Sequence, residues 1–208
     1  MKNNKDLRIM LREAGILFAI TLVAGLMLGF VYELTKEPIR IQKEKAVQET
    51  CAAVFEAADH FMAISGYAAD ADLTEELAGQ GVEIGQMFEA KDASDTLLGY
   101  VVETTSTEGY GGDIVLYVGV TLEGTINDIS ILDISETPGL GMQAAAVLGP
   151  QFHNKKSSEF TYTKTGSRTE SEIDAISGAT VTTEAVVNAV NGGLKAVRQM
   201  MEGGSVNE

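Results

Sequence analysis

The stretch AGILFAITLVAGLMLGFVY, residues 14–32, holds 19 consecutive residues without a formal charge. At about 1.5 Å rise per residue, a helix of that length reaches about 28 Å, close to the depth of a hydrocarbon core. A secretory leader carries a shorter apolar core, about 7 to 15 residues, and a small-residue cleavage site. The ELTKEP that follows contains no clear site of that kind. The stretch therefore reads as a retained transmembrane anchor. It divides the chain into a flank at 1–13, a span at 14–32 and a larger remainder. GLMLG, residues 25–29, reads first as generic span packing, although its small residues would also permit close approach of another helix. The span carries no charged residue and cannot enclose an ion path by itself.

Charge orients the anchor. Lys2, Lys5, Arg8 and Arg12 precede it against Asp6 and Glu13, whereas 11 basic and 28 acidic residues follow. Lys36, Arg40, Lys43 and Lys45 soften the contrast, but it favours a cytoplasmic N-terminus and an acidic domain outside. A net charge of -15 with no basic stripe excludes nucleic acid as a partner. Cys51 stands alone, which excludes an intrachain disulfide framework and a cysteine-only metal or iron–sulfur cluster. His60 and His153 have no metal-ligand spacing, so no metal site is assigned.

Beyond the anchor, Pro38 marks the end of the helix or a bend in it. QKEKAVQETCAAVFEAADH, residues 42–60, has an apolar stripe through Ala46, Val54 and Ala58. It reads as an amphipathic helix within a juxtamembrane segment at 33–60. The main domain then occupies 61–200, and 201–208 form a flexible tail. Residues 61–96 have no legible layout. LLGYVVETTS, DIVLYVGV and TINDISILDI, between residues 97 and 134, read as three strands separated by glycine-rich turns. Glu123-Gly124 suits a hairpin between the last two. Connections this short favour an antiparallel sheet, and helical patterns at 142–149 and 184–200 make the class α+β.

Three turns could carry chemistry. EGYGGD, residues 108–113, brings three glycines beside two strands, an arrangement compatible with a tight turn or a close ligand. In SETPGLGMQ, residues 135–143, Pro138-Gly139 suits a type II turn and Gly141 permits another unusual backbone angle. The third, DAISGATVTTEAVVNAV at 174–190, crowds Ser177, Thr180, Thr182 and Thr183 before an apolar stripe at Val186, Val190, Leu194 and Val197. Thr182 or Thr183 is the expected N-cap, and Asn191, Gly192 and Gly193 weaken the middle of the helix. The surplus hydroxyls fit turn chemistry, or an attachment site for phosphate at the helix entrance. No Gly-x-Ser-x-Gly pattern or P-loop accompanies them.

The anchor, the EPI flank, GYGGDI, ETPGLG and SGAT occur here in one order along almost the whole chain. In that combination the chain resembles the G subunits of the Rnf electron-transport complex, whose domain carries covalent FMN. The C subunit of the sodium-translocating NADH:quinone reductase is the related alternative. The resemblance implies an FMN joined through its phosphate to Thr180, with Asp174, Ser177, Gly178 and Ala179 in the segment recognised by a flavin transferase. It implies that Glu136, Thr137, Gly139, Leu140 and Gly141 lie beside the cofactor, Leu140 against its ring, and that Tyr110, Gly111, Gly112 and Thr182 also belong to the site. The family often has a histidine just before ETPGLG. Asp133, Ile134 and Ser135 stand there instead, which argues against an essential proton-shuttling histidine.

At the level of the whole protein, the resemblance implies an electron-transfer subunit in a prokaryotic cell membrane. It would be assembled with other integral-membrane and redox subunits that link ferredoxin and NAD chemistry to sodium or proton translocation. It would not catalyse the full reaction alone. A standalone membrane-anchored flavoprotein and a flavin-free interaction domain are the other readings.

Overall fold

The computed structural model describes residues 3–203, which fall into two compact units, one up to residue 47 and the other from residue 48. The first consists of most of helix α1 (Asn3–Val54). Among the described residues, α1 is the one helix long and apolar enough to cross a membrane. Within its apolar stretch the Thr21 hydroxyl donates to Leu17 O and Phe18 O, both at 3.0 Å, so its polarity is spent on its own backbone. The helix does not end at Pro38 but continues through it. Proline removes one backbone donor there, while Arg40 bridges Glu37 and Glu44 across the adjacent turns.

The second unit is α+β. Strands β1 (His60–Ala63), β2 (Val82–Lys91), β3 (Leu97–Ser106), β4 (Ile114–Thr121) and β5 (Ile126–Ile134) form an antiparallel meander in sequence order. Helix α2 (Ala71–Ala78) lies between β1 and β2 in the chain, capped by the Asp70 carboxylate on Leu73 N at 2.8 Å. The expected hairpin forms at Glu123-Gly124, where Gly124 has φ +76° and its N–H donates to Thr121 O. After β5 come helix α3 (Ala144–Phe152), a short parallel pair β6 (Thr161–Thr163) and β7 (Glu172–Asp174), and helix α4 (Thr180–Gly203).

The near-continuous apolar run IVLYVGV lets β4 be buried on both faces, its side chains pointing alternately to each. Leu116, Val118 and Val120 belong to the core cluster that includes the α4 stripe Val186, Val190, Leu194 and Val197. Gly193 of α4 lies against this layer: a Cβ there would stand 3.1–3.2 Å from Val102, Thr104 and Val118. Tyr117 and Gly119 face the other way. The last turn of α1 covers them, with Cys51, Val54 and Phe55 all buried. A Cβ on Gly119 would stand 2.6 Å from Val54 O, and that carbonyl accepts from Asn127 Nδ2 at 2.6 Å. Burial and the nearby Glu103 push the Cys51 thiol up to about 12, so it is held as a small apolar filler.

α4 departs from its expected outline. It begins at Thr180, and the Asn191-Gly192-Gly193 segment does not divide it. The two glycines allow helix and sheet to approach. Asn191 donates to Phe160 O and accepts from Phe160 N, both at 2.8 Å, pinning the segment that leads into β6. α4 runs to Gly203; the rest of the expected tail, 204–208, lies outside the described residues.

Candidate functional site

The three sequence-defined turns meet at one end of the second unit. They line a cleft of about 520 Å³ through Tyr110, Glu136, Thr137, Leu140, Gly141, Gly178, Ala179, Thr180, Val181 and Thr182. Each turn is shaped by contacts that tolerate no bulk. A Cβ on Gly109 would lie 2.1 Å from Gly112 O, and one on Gly111 would lie 2.0 Å from Ser135 O. The glycine loop therefore rests directly on the backbone that enters the second turn. This leaves Tyr110 at the rim with 75% of its surface exposed.

The second turn closes as expected. Leu140 N donates to Thr137 O at 3.1 Å around Pro138-Gly139, and Gly139 has φ +79°. Gly141 is present for space and not for an unusual angle, which corrects the expectation for that position. A Cβ on it would stand 2.6 Å from Thr182 Oγ1 and 2.8 Å from both Cβ and Oε2 of Glu136. Leu140 is exposed on the cleft and reaches across to the third turn. A Cβ on Gly178, whose φ is +79°, would meet Leu140 Cδ2 at 3.1 Å.

The third turn sorts its hydroxyls. Thr183 N donates to Ala179 O at 3.0 Å, so the helix is entered before Thr182 and neither Thr182 nor Thr183 is the N-cap. Thr183 is fully buried; its hydroxyl accepts from Ile176 N at 3.1 Å and donates to Ala179 O at 2.9 Å. It braces the turn from inside. Thr182 lines the cleft floor but is only 2% exposed. Ser177 is exposed and does not line the cleft. Thr180, the first helical residue, lines the cleft and is partly exposed. By helix geometry, the N–H groups of Thr180, Val181 and Thr182 have no partner inside the helix and carry the positive end of its dipole.

Asp174 serves the turn from outside the cleft. It ends β7, its carboxylate accepts from Ser167 N at 2.5 Å, and its N–H donates to Gln151 Oε1 at 2.7 Å. Gly111, Gly112 and Gly139 likewise shape the walls without lining them. Val181 was missed by sequence reasoning. It lines the cleft with 48% of its surface exposed, beside Thr180, and only its exposure in the first helical turn separates it from the core valines.

The donor set fits FMN. Tyr110, Leu140 and Val181 offer apolar surface to a flat ring system, the glycine contacts keep the cleft open, and the helix entrance suits a phosphate. Among the described residues no group of three or more His, Cys, Asp or Glu side chains could hold a metal ion.

The family model described as FMN-binding domain matches residues 109–195, and that described as RnfG N-terminal region matches residues 1–54. The G subunit of the Na(+)-translocating ferredoxin:NAD(+) oxidoreductase complex of Acetobacterium woodii is 30% identical over 191 residues, 89% of this chain and 90% of that protein. The proton-translocating counterpart from Clostridium ljungdahlii is 31% identical over 198 residues, 91% and 94% of the two chains. The crystal structure of Shewanella oneidensis NqrC aligns with a TM-score of 0.47 at 23% identity, over 57% of this chain and 61% of that one. With similarity of that extent along nearly its whole length, the chain belongs to the family of Rnf-complex G subunits and bears an FMN-binding domain.

Proposed function

We propose that this chain is the FMN-carrying electron-transfer subunit of an Rnf-type complex, with FMN held as a phosphoester on Thr180. The observation that carries the reading is the sorting of the four hydroxyls. Thr182 and Thr183 are buried and Ser177 lies off the cleft, while Thr180 is partly exposed on it. A flavin transferase would form the bond between Thr180 Oγ1 and the flavin-side phosphorus of a flavin dinucleotide donor as that donor's phosphoanhydride bond breaks, the hydroxyl proton being lost and the other nucleotide leaving as its monophosphate. Bound in this way, FMN supplies the electron-transfer chemistry, and its ring stays chemically free because the phosphate is the tether. The chain contributes the rest. Leu140, Tyr110 and Val181 limit where the ring lies and keep water from its faces, and the first N–H groups of α4 meet the negative phosphate.

By kinship with proteins named as belonging to sodium- and proton-translocating complexes, the assembly would link ferredoxin and NAD chemistry to movement of one of those ions. Sites for ferredoxin and NAD then belong to other integral-membrane and redox subunits. The chain would pass the prokaryotic cell membrane once, N-terminus cytoplasmic and flavin domain outside. The test is intact-mass and peptide mapping of protein made with an active flavin transferase. An FMN-phosphoryl adduct on Thr180, absent from a folded Thr180→Ala variant, is the expected result. Complete absence of the adduct from the unmodified chain would overturn the assignment.

A further inference from the structure

Glu136 is a buried carboxylate at the point where all three turns converge, 7% exposed. Its Oε1 accepts from Gly111 N at 3.3 Å, tying the second turn to the glycine loop. Three elements close around the side chain. A Cβ on Gly109 would stand 3.1 Å from Oε1, and one on Gly141 would stand 2.8 Å from Oε2 and 2.6 Å from Thr182 Oγ1. Among the described residues Glu136 joins no ion pair. A buried charge normally has an opposite charge beside it, because removal from water is costly when nothing compensates. Simple loop fastening needs only an acceptor oxygen, which a neutral amide also supplies. A carboxylate here is more than that hydrogen bond requires.

We infer that Glu136 is a positioning residue with two separable effects: its oxygen fastens the Gly109–Gly112 loop, and so Tyr110, to the Thr137–Gly141 turn, and its charge holds down the reduction potential of a flavin in the cleft. The second effect rests on the FMN reading above. Adding electrons beside a fixed negative charge is disfavoured, and the cleft wall weakens screening by water. The Gly109, Gly111 and Gly141 contacts leave the carboxylate little room to swing away from the cleft that it lines.

The experiment compares Glu136→Gln and Glu136→Ala with the unmodified full-length chain in detergent, each with and without flavin transferase. In the flavin-free proteins, amide hydrogen exchange at Tyr110–Gly112 is expected to accelerate in Glu136→Ala and to remain protected in Glu136→Gln. In flavin-loaded proteins, with the Thr180 adduct confirmed by mass, the midpoint potential is expected to move to a more positive value in both variants. Unchanged exchange in Glu136→Ala, or an unmoved midpoint in loaded Glu136→Gln, overturns the proposal. If Glu136→Ala does not fold, the isosteric Gln variant still decides the charge effect through its potential. A missing adduct in the unmodified chain counts instead against covalent FMN on Thr180, and the exchange comparison still judges the fastening.

Discussion

Residue by residue, the site is built from small differences in access. Thr180, Thr182 and Thr183 have the same chemistry, but one is at the cleft surface, one in its floor and one locked between Ile176 and Ala179. The sequence displayed a hydroxyl surplus without ranking its members, because access depends on where the helix begins. That start lies before the expected caps: Thr182 and Thr183 have good capping chemistry, but both are drawn into the first turn by burial. Gly141 teaches the same lesson, since its role is close approach and no local pattern announces that. Gly141→Ala should place a methyl group into Thr182 and Glu136 at the distances described above. Overpacking of this kind costs about 1–3 kcal/mol, and a matching fall in denaturation midpoint is expected. Flavin loading should fall with it, read as the fraction of chains bearing the adduct.

At the scale of elements, β3, β4 and β5 were legible because β-branched and aromatic residues cluster between turn signals. β2 was not. Its VEIGQMFEAK has a glycine and two glutamates within ten residues, and it becomes a strand through pairing with β1 and β3. Gly85 even makes room for a neighbour, as a Cβ there would stand 2.9 Å from Glu103 Cδ. α4 shows the reverse case. Its glycine pair predicted weakness on helix propensity, yet packing against the sheet overrides that propensity. Asn191 beside the pair is the testable point. Asn191→Ala removes both partners of the Phe160 backbone, and each unsatisfied buried group costs about 1–3 kcal/mol. Chemical denaturation should report a loss of that order, and amide exchange at Phe160 should rise.

For the molecule as a whole, the consequential boundary is the one at residue 48. A soluble fragment of 61–203 lacks Cys51, Val54 and Phe55, which cover the face of the sheet opposite α4. Each large apolar side chain lost from a core removes about 1.5–3 kcal/mol. The fragment is therefore expected to unfold at lower denaturant concentration than one spanning 48–203, as followed by circular dichroism. Equal midpoints for the two would show that the last turn of α1 contributes nothing to the unit.

Local chemistry in the sequence determined the anchor, strands β3, β4 and β5, the type II turn and the helical stripe of α4. Each depends on residues within a few positions of one another: an uncharged run, alternating branched side chains, a proline followed by glycine, or repeats at helical spacing. Tertiary structure decided which face of the sheet receives the end of α1, where α4 starts, why Gly141 has no side chain and which hydroxyl reaches the cleft. Those outcomes follow from contacts between segments tens of residues apart, such as Glu136 with Gly111 and Asn191 with Phe160. Excluded volume and burial act in three dimensions, so no local pattern could carry them.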